Sequence, residues 1–161
     1  MQRYDFGSQR KKLHMSYLDV GPQAPNGRTV VLLHGKNFCA GTWENTIRAL
    51  TQAGYRVIAP DQVGFCKSSK PAGYQYSFQQ LAANTHALLE HLGVRRVILL
   101  GHSTGGMLAA VMEREQPALA VPGDEYFLGA FGAQRIQRRV DFLFGNVHAG
   151  VVFAVCGPGH F

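Results

Sequence analysis

One serine in this 161-residue chain stands in a setting suited to nucleophilic chemistry. Ser103 lies in Gly101-His102-Ser103-Thr104-Gly105, directly after the apolar run Val97-Ile98-Leu99-Leu100 and directly before Met107-Leu108-Ala109-Ala110. The order reads as a buried strand, a tight turn and a helix, which is the layout of a nucleophile elbow. A serine held on such a turn takes a strained backbone conformation. Its neighbours Gly101 and Gly105 must then be small so that strand and helix can close on one another. The helix start directs N–H groups and the positive end of its dipole towards the serine. The N–H of Thr104 becomes a candidate donor to an oxyanion. The alternative for the same pentapeptide is an ordinary glycine-rich loop.

The elements that would hold this turn can be read along the chain. Residues 2–7 and 13–20 have the character of two strands, joined by a polar stretch from Gly7 to Lys12. Thr29-Val30-Val31-Leu32-Leu33 is continuously apolar, as expected of a strand covered on both faces. Thr42 is a candidate cap for a helix reaching Ala53, with Gly54 as its stop. Arg56–Asp61 is a further strand and its exit. Ser77 followed by Gln80 forms a capping-box pattern. The helix it opens carries Phe78, Leu81, Ala82, Leu88, Leu89 and Leu92 at helical spacing and stops at Gly93. The strand at 96–100, the elbow, and a helix closed by Pro117 follow. Strands alternating with helices predict a mostly parallel sheet flanked by helices, in a single α/β domain.

Composition narrows the function. A chain that is 46% hydrophobic can bury a real core. The net charge of +6 is spread thinly, so a nucleic-acid partner is not expected. Cys39, Cys66 and Cys156 fit no metal spacing, and an odd number argues against a complete disulfide framework, so buried or free thiols are expected. No apolar stretch has the length of a membrane span, and Met1–Phe6 lacks a signal-peptide apolar region. As written, the chain is expected in the cytoplasm. Its oligomeric state is open.

Three segments together resemble the α/β-hydrolase family, over roughly residues 13–112. They are His34-Gly35-Lys36-Asn37 after the third strand, Asp61-Gln62-Val63-Gly64-Phe65-Cys66-Lys67-Ser68, and the elbow. The second is similar to the family's Asp-x-x-Gly-x-Gly-x-Ser loop, with Cys66 where glycine is usual. The resemblance implies that the backbone N–H of Lys36 is the second oxyanion donor. It also implies that Asp61 holds its own loop together. The ungapped stretch is most similar to the esterase, peptidase and epoxide-hydrolase branch. A serine nucleophile, rather than aspartate, implies acyl-group hydrolysis.

The remainder departs from the family pattern. Pro117–Tyr126 resembles the family's penultimate strand and its acid-bearing turn, Ala133–Val140 the following helix, and Val151–Phe161 the last strand running into Gly159-His160. The middle segment, with any cap, and the final helix have no counterpart. The resemblance implies His160 as the base that takes the serine proton. In the family the triad acid sits three residues after the turn glycine, and here that residue is Tyr126, which has no carboxylate. Asp124 is the preferred substitute and Glu125 the second choice; either could be a solvated turn residue. His34 and His102 are expected to pack or hydrogen-bond rather than act as bases. Trp43, Phe38 and Phe65 are candidates to line an acyl pocket, or simply core. The implied activity is a serine hydrolase acting on a small acyl substrate, without metal or organic cofactor. The rivals are a non-catalytic member that only binds a small apolar ligand, and a shortened chain that does not fold stably alone.

Overall fold

In the computed structural model, the described residues are 1–116 and, as backbone, the strand at 152–155. The readings for Asp124, Glu125 and Tyr126, for the 133–140 helix, and for Cys156 and His160 lie outside them.

Six strands form one sheet in the order β1-β2-β4-β3-β5-β6. β1 (Gln2–Ser8) and β2 (Lys11–Val20) are an antiparallel hairpin. The polar stretch expected between them is itself largely strand, because Ser8 pairs with Lys11 and Gly7 with Lys12. Only Gln9 and Arg10 form the turn, both at positive φ (48° and 59°). That is the hand a two-residue hairpin requires. Polar side chains are tolerated there because β1 is an edge strand. β3 (Thr29–Leu33) runs parallel to β4 (Arg56–Pro60) and to β5 (Ile98–His102). β6 (Val152–Val155), the segment read as the last strand, pairs with β5 antiparallel.

The apolar run of β3 divides its side chains between two layers. Val31 and Leu33 pack with Ala82, Leu89, Leu108, Ala109 and Met112, from helices α2 (Phe78–His91) and α3 (Thr104–Glu115). Val30 and Leu32 face the other way, onto Trp43, Ile47 and Leu50 of the segment containing α1 (Glu44–Gln52). A strand buried on both faces cannot alternate in polarity, hence its sequence.

The helix boundaries follow local chemistry. Ser77 caps α2, its side chain accepting the N–H of Gln80. The Gln80 side chain bonds Gln9 and Asn84 instead of reaching back, so half of the capping box forms. Gly54 and Gly93 follow their helices at φ +90° and +68°. Thr42 is not the cap of α1. It lies inside a short 3-10 turn, Ala40–Trp43, and its hydroxyl donates to the Cys39 carbonyl. No helix among the described residues is long and apolar enough to cross a membrane.

Candidate active site

Register brings two loops together. Leu33 of β3 sits opposite Gly101 of β5, so the chain leaving β3 as His34-Gly35-Lys36 lies beside His102-Ser103-Thr104. Contact is close: a Cβ added at Gly35 would lie 2.8 Å from Nδ1 of His102. Ser103 stands between β5 and α3 at φ 52°, ψ −118°, a conformation that costs a non-glycine residue about 1–3 kcal/mol. The glycines around it are required by space. A Cβ at Gly101 would meet backbone atoms of Gly105 at 2.3 Å, and one at Gly105 would meet the Leu33 carbonyl oxygen at 2.0 Å. The Ser103 side chain is left exposed at the start of α3.

A cavity of about 400 Å³ opens beside the elbow. Gly35, Lys36 and Thr104 border it, so the two residues expected to supply oxyanion donors line the same cavity; Ser103 itself is not among the lining residues. Phe65 borders it too. The other two aromatic candidates are placed elsewhere. Trp43 is 7% exposed in the core on the far face of the sheet, and Phe38 stands edge-on to His102 with centroids 5.1 Å apart.

His34 is a buried hydrogen-bonding residue. Its Nε2 accepts the backbone N–H of Gln62 at 2.9 Å, so Nδ1 carries the proton and donates to the Gly35 carbonyl at 2.8 Å. Burial pushes its pKa below the ordinary imidazole value of 6.5, against the opposing pull of the Gly35 bond and of Asp61. A neutral ring fixed through both nitrogens holds two loops together and is not free to act as a base.

Asp61 likewise binds its surroundings. Fully buried, it accepts the N–H of Ala40 on Oδ1 (2.7 Å) and of Lys67 on Oδ2 (3.1 Å), while its carbonyl accepts the Ser68 hydroxyl. The residues just before Ala40 and Lys67 are Cys39 and Cys66, and these form a disulfide. The expectation of free thiols is therefore corrected for this pair. Their separation of 27 residues carries no local signal; the adjacency of β3 and β4 places the loops side by side. Their sulfurs and the Asp61 carboxylate make the one His/Cys/Asp/Glu cluster of metal-binding dimensions among the described residues. The sulfurs are bonded to each other and both oxygens are taken by N–H groups.

Residues 28–117 match the family described as the alpha/beta hydrolase fold. The chain belongs to that family. A haloalkane dehalogenase from Mycolicibacterium paratuberculosis is 37% identical over 108 residues, spanning 66% of this chain and 35% of the relative. Epoxide hydrolase A from Mycobacterium tuberculosis is 35% identical over 124 residues, spanning 67% of this chain and 38% of its own length. Among solved structures, a probable hydrolytic enzyme from Pseudomonas aeruginosa superposes with a TM-score of 0.72 at 67% identity, over 73% of this chain and 38% of that one. A thermophilic esterase from Thermogutta terrifontis superposes at 0.65 with 26% identity, over 74% and 43%. The chain thus spans well under half the length of these relatives, whose names are those of hydrolytic enzymes.

Proposed function

We propose that this chain is a serine hydrolase that cleaves a small ester, thioester or amide through an acyl-enzyme on Ser103. The observation that carries the reading is the strained Ser103 backbone at the junction of β5 and α3, beside a cavity bordered by Lys36 and Thr104. In the proposed cycle, Oγ of Ser103 attacks the acyl carbon and its proton passes to His160. The N–H groups of Lys36 and Thr104 donate to the developing oxyanion. The bond to the leaving group breaks and His160 returns the proton to it. Water then attacks the acyl carbon, releases the acid and restores the serine.

His160 as base and Asp124 as its orienting acid rest on the family resemblance alone. No metal or organic cofactor enters the cycle. Relatives named for dehalogenation and epoxide opening support hydrolysis in general; a serine at the nucleophile position favours acyl chemistry. The test is turnover of an activated ester by the wild-type chain and by Ser103→Ala, with circular dichroism as the control for folding. Loss of turnover with an unchanged spectrum is expected, and equal turnover by the variant defeats the reading.

Tyr126, where the family keeps its acid, favours a second reading, a member that binds a small ligand without consuming it. A compound that raises the melting temperature and is recovered intact would support it. The Cys39–Cys66 bond is of the kind an oxidising compartment maintains, and alkylation of thiols at the moment of cell lysis tests whether both cysteines are protected there.

A further inference from the structure

Beyond Lys36 and Thr104, the cavity beside the elbow is walled mainly by carbon. Leu108 follows Thr104 by one turn of α3, so the two share a helix face, and both line the cavity. Phe65, Tyr76, Phe78 and Leu81 line it as well. His34 and Gln62 also border it, but neither offers an accessible unpaired polar atom. Both His34 ring nitrogens are bonded. The Gln62 Oε1 takes the Thr85 hydroxyl, and its Nε2 is buried. Such a wall suits a hydrocarbon group. The acyl part of a substrate stays on Ser103 through both halves of the proposed cycle, so it is the part the neighbouring cavity has to hold.

Tyr76 is the wall residue whose setting is most particular. Its side chain is 48% exposed, yet the ring is held in place. It sits directly on the backbone of Gly64: a Cβ there would lie 2.7 Å from Cε1 of Tyr76. Gly64 stands at φ +98°, which also disfavours any side chain at that position. Tyr74 meets the Tyr76 ring edge-on, with centroids 5.0 Å apart. Tyr74 is itself buried and anchored, its hydroxyl 2.8 Å from that of Ser8 and 2.9 Å from Nδ2 of Asn84. The Tyr76 hydroxyl reaches the Pro71 carbonyl. A ring seated on bare backbone and propped by an anchored neighbour is a fixed wall.

We propose that the cavity takes an unbranched hydrocarbon acyl chain and that Tyr76 sets the chain length it accepts. This rests on the acyl-hydrolase reading and adds to it a substrate class and a specificity-determining residue. Each methylene that enters the cavity leaves water and favours the complex, until the chain meets the wall and further carbons have no room.

The experiment measures kcat/KM for the 4-nitrophenyl esters of acetate, butanoate, hexanoate, octanoate and decanoate, each below its micelle-forming concentration. In the wild type the value should rise by about fourfold per methylene, the worth of burying one, and then fall once the chain outgrows the cavity. In Tyr76→Ala the maximum should move to a longer chain. The shape of the profile within each variant is unaffected by a general change in activity. Tyr76→Leu, which keeps an apolar side chain on Gly64, carries the same test if the alanine variant does not fold. A wild-type profile flat within about twofold from acetate to hexanoate overturns the proposal. So does a rise unbroken to decanoate, or a maximum that stays at the same chain length in the folded variant. Absence of Ser103-dependent turnover of every ester would instead defeat the hydrolase reading, and the proposal with it.

Discussion

The Cys39–Cys66 disulfide permits a prediction with a worked magnitude. The bond joins the loop after β3, which bears Lys36, to the loop after β4, across 27 residues and a Cα–Cα distance of 5.9 Å. Closing a loop of that length removes about 12 cal/mol/K of entropy from the unfolded chain, or about 3.5 kcal/mol at room temperature. In the double variant Cys39→Ser/Cys66→Ser the loss should lower the melting temperature by roughly 10 °C. The native loops should nevertheless stay in place, because Asp61 still receives the Ala40 and Lys67 N–H groups. Cys66 adds a second, opposite effect, since it stands at φ +44°. A serine there keeps the left-handed strain and a glycine removes it, so Cys39→Ser/Cys66→Gly should be the more stable of the two by about 1 kcal/mol. The assay is thermal and denaturant unfolding of all three proteins, with and without reductant. Wild type should fall to the level of the serine pair on reduction, and neither variant should respond. Wild type that melts identically with and without reductant, or Cys39 and Cys66 both alkylated in the unreduced protein, would refute the argument.

Three further outcomes follow from the same geometry. Gly105→Ala should cost about 3 kcal/mol or more, because its Cβ would lie 2.0 Å from the Leu33 carbonyl oxygen and backbone cannot yield cheaply; Gly41→Ala, with open space around it, should be near neutral. Denaturant unfolding gives both values. Asp61→Asn should cost about 2–3 kcal/mol, since the amide can accept only one of the two N–H groups and turns a donor towards the other. The His34 ring should titrate below 6.5 when followed by NMR. Its unfolded form then binds protons that the folded form does not, so stability should fall as pH drops below about 6.5. A His34 titration at or above 6.5 contradicts the neutral, doubly bonded ring.

Much of the described fold was legible because it rests on local signals. The apolar run of β3, the Ser77 cap and the stops at Gly54 and Gly93 each state their role within a few residues. The elbow was legible because its pattern is local: Gly101 is required by the backbone of Gly105 within the turn, although Gly105 is required by the Leu33 carbonyl of the neighbouring strand. What escaped depends on neighbours distant in sequence. Cys39 and Cys66 meet only because β3 and β4 are adjacent. Trp43 could not be assigned to the core rather than the pocket until the sheet face it covers was known. Thr42 has the right type for a cap, but the 3-10 turn spends its hydroxyl on Cys39. The polar Gly7–Lys12 stretch misled because an edge hairpin does not need apolar residues to pair.

The central claim is that Ser103 is an activated nucleophile. Its most direct test is covalent labelling of the full chain by a fluorophosphonate probe, read by intact mass and peptide mapping. The account predicts a single adduct on Ser103, lost in Ser103→Ala. A sample that melts cooperatively yet takes up no label, or takes it up elsewhere, would contradict it.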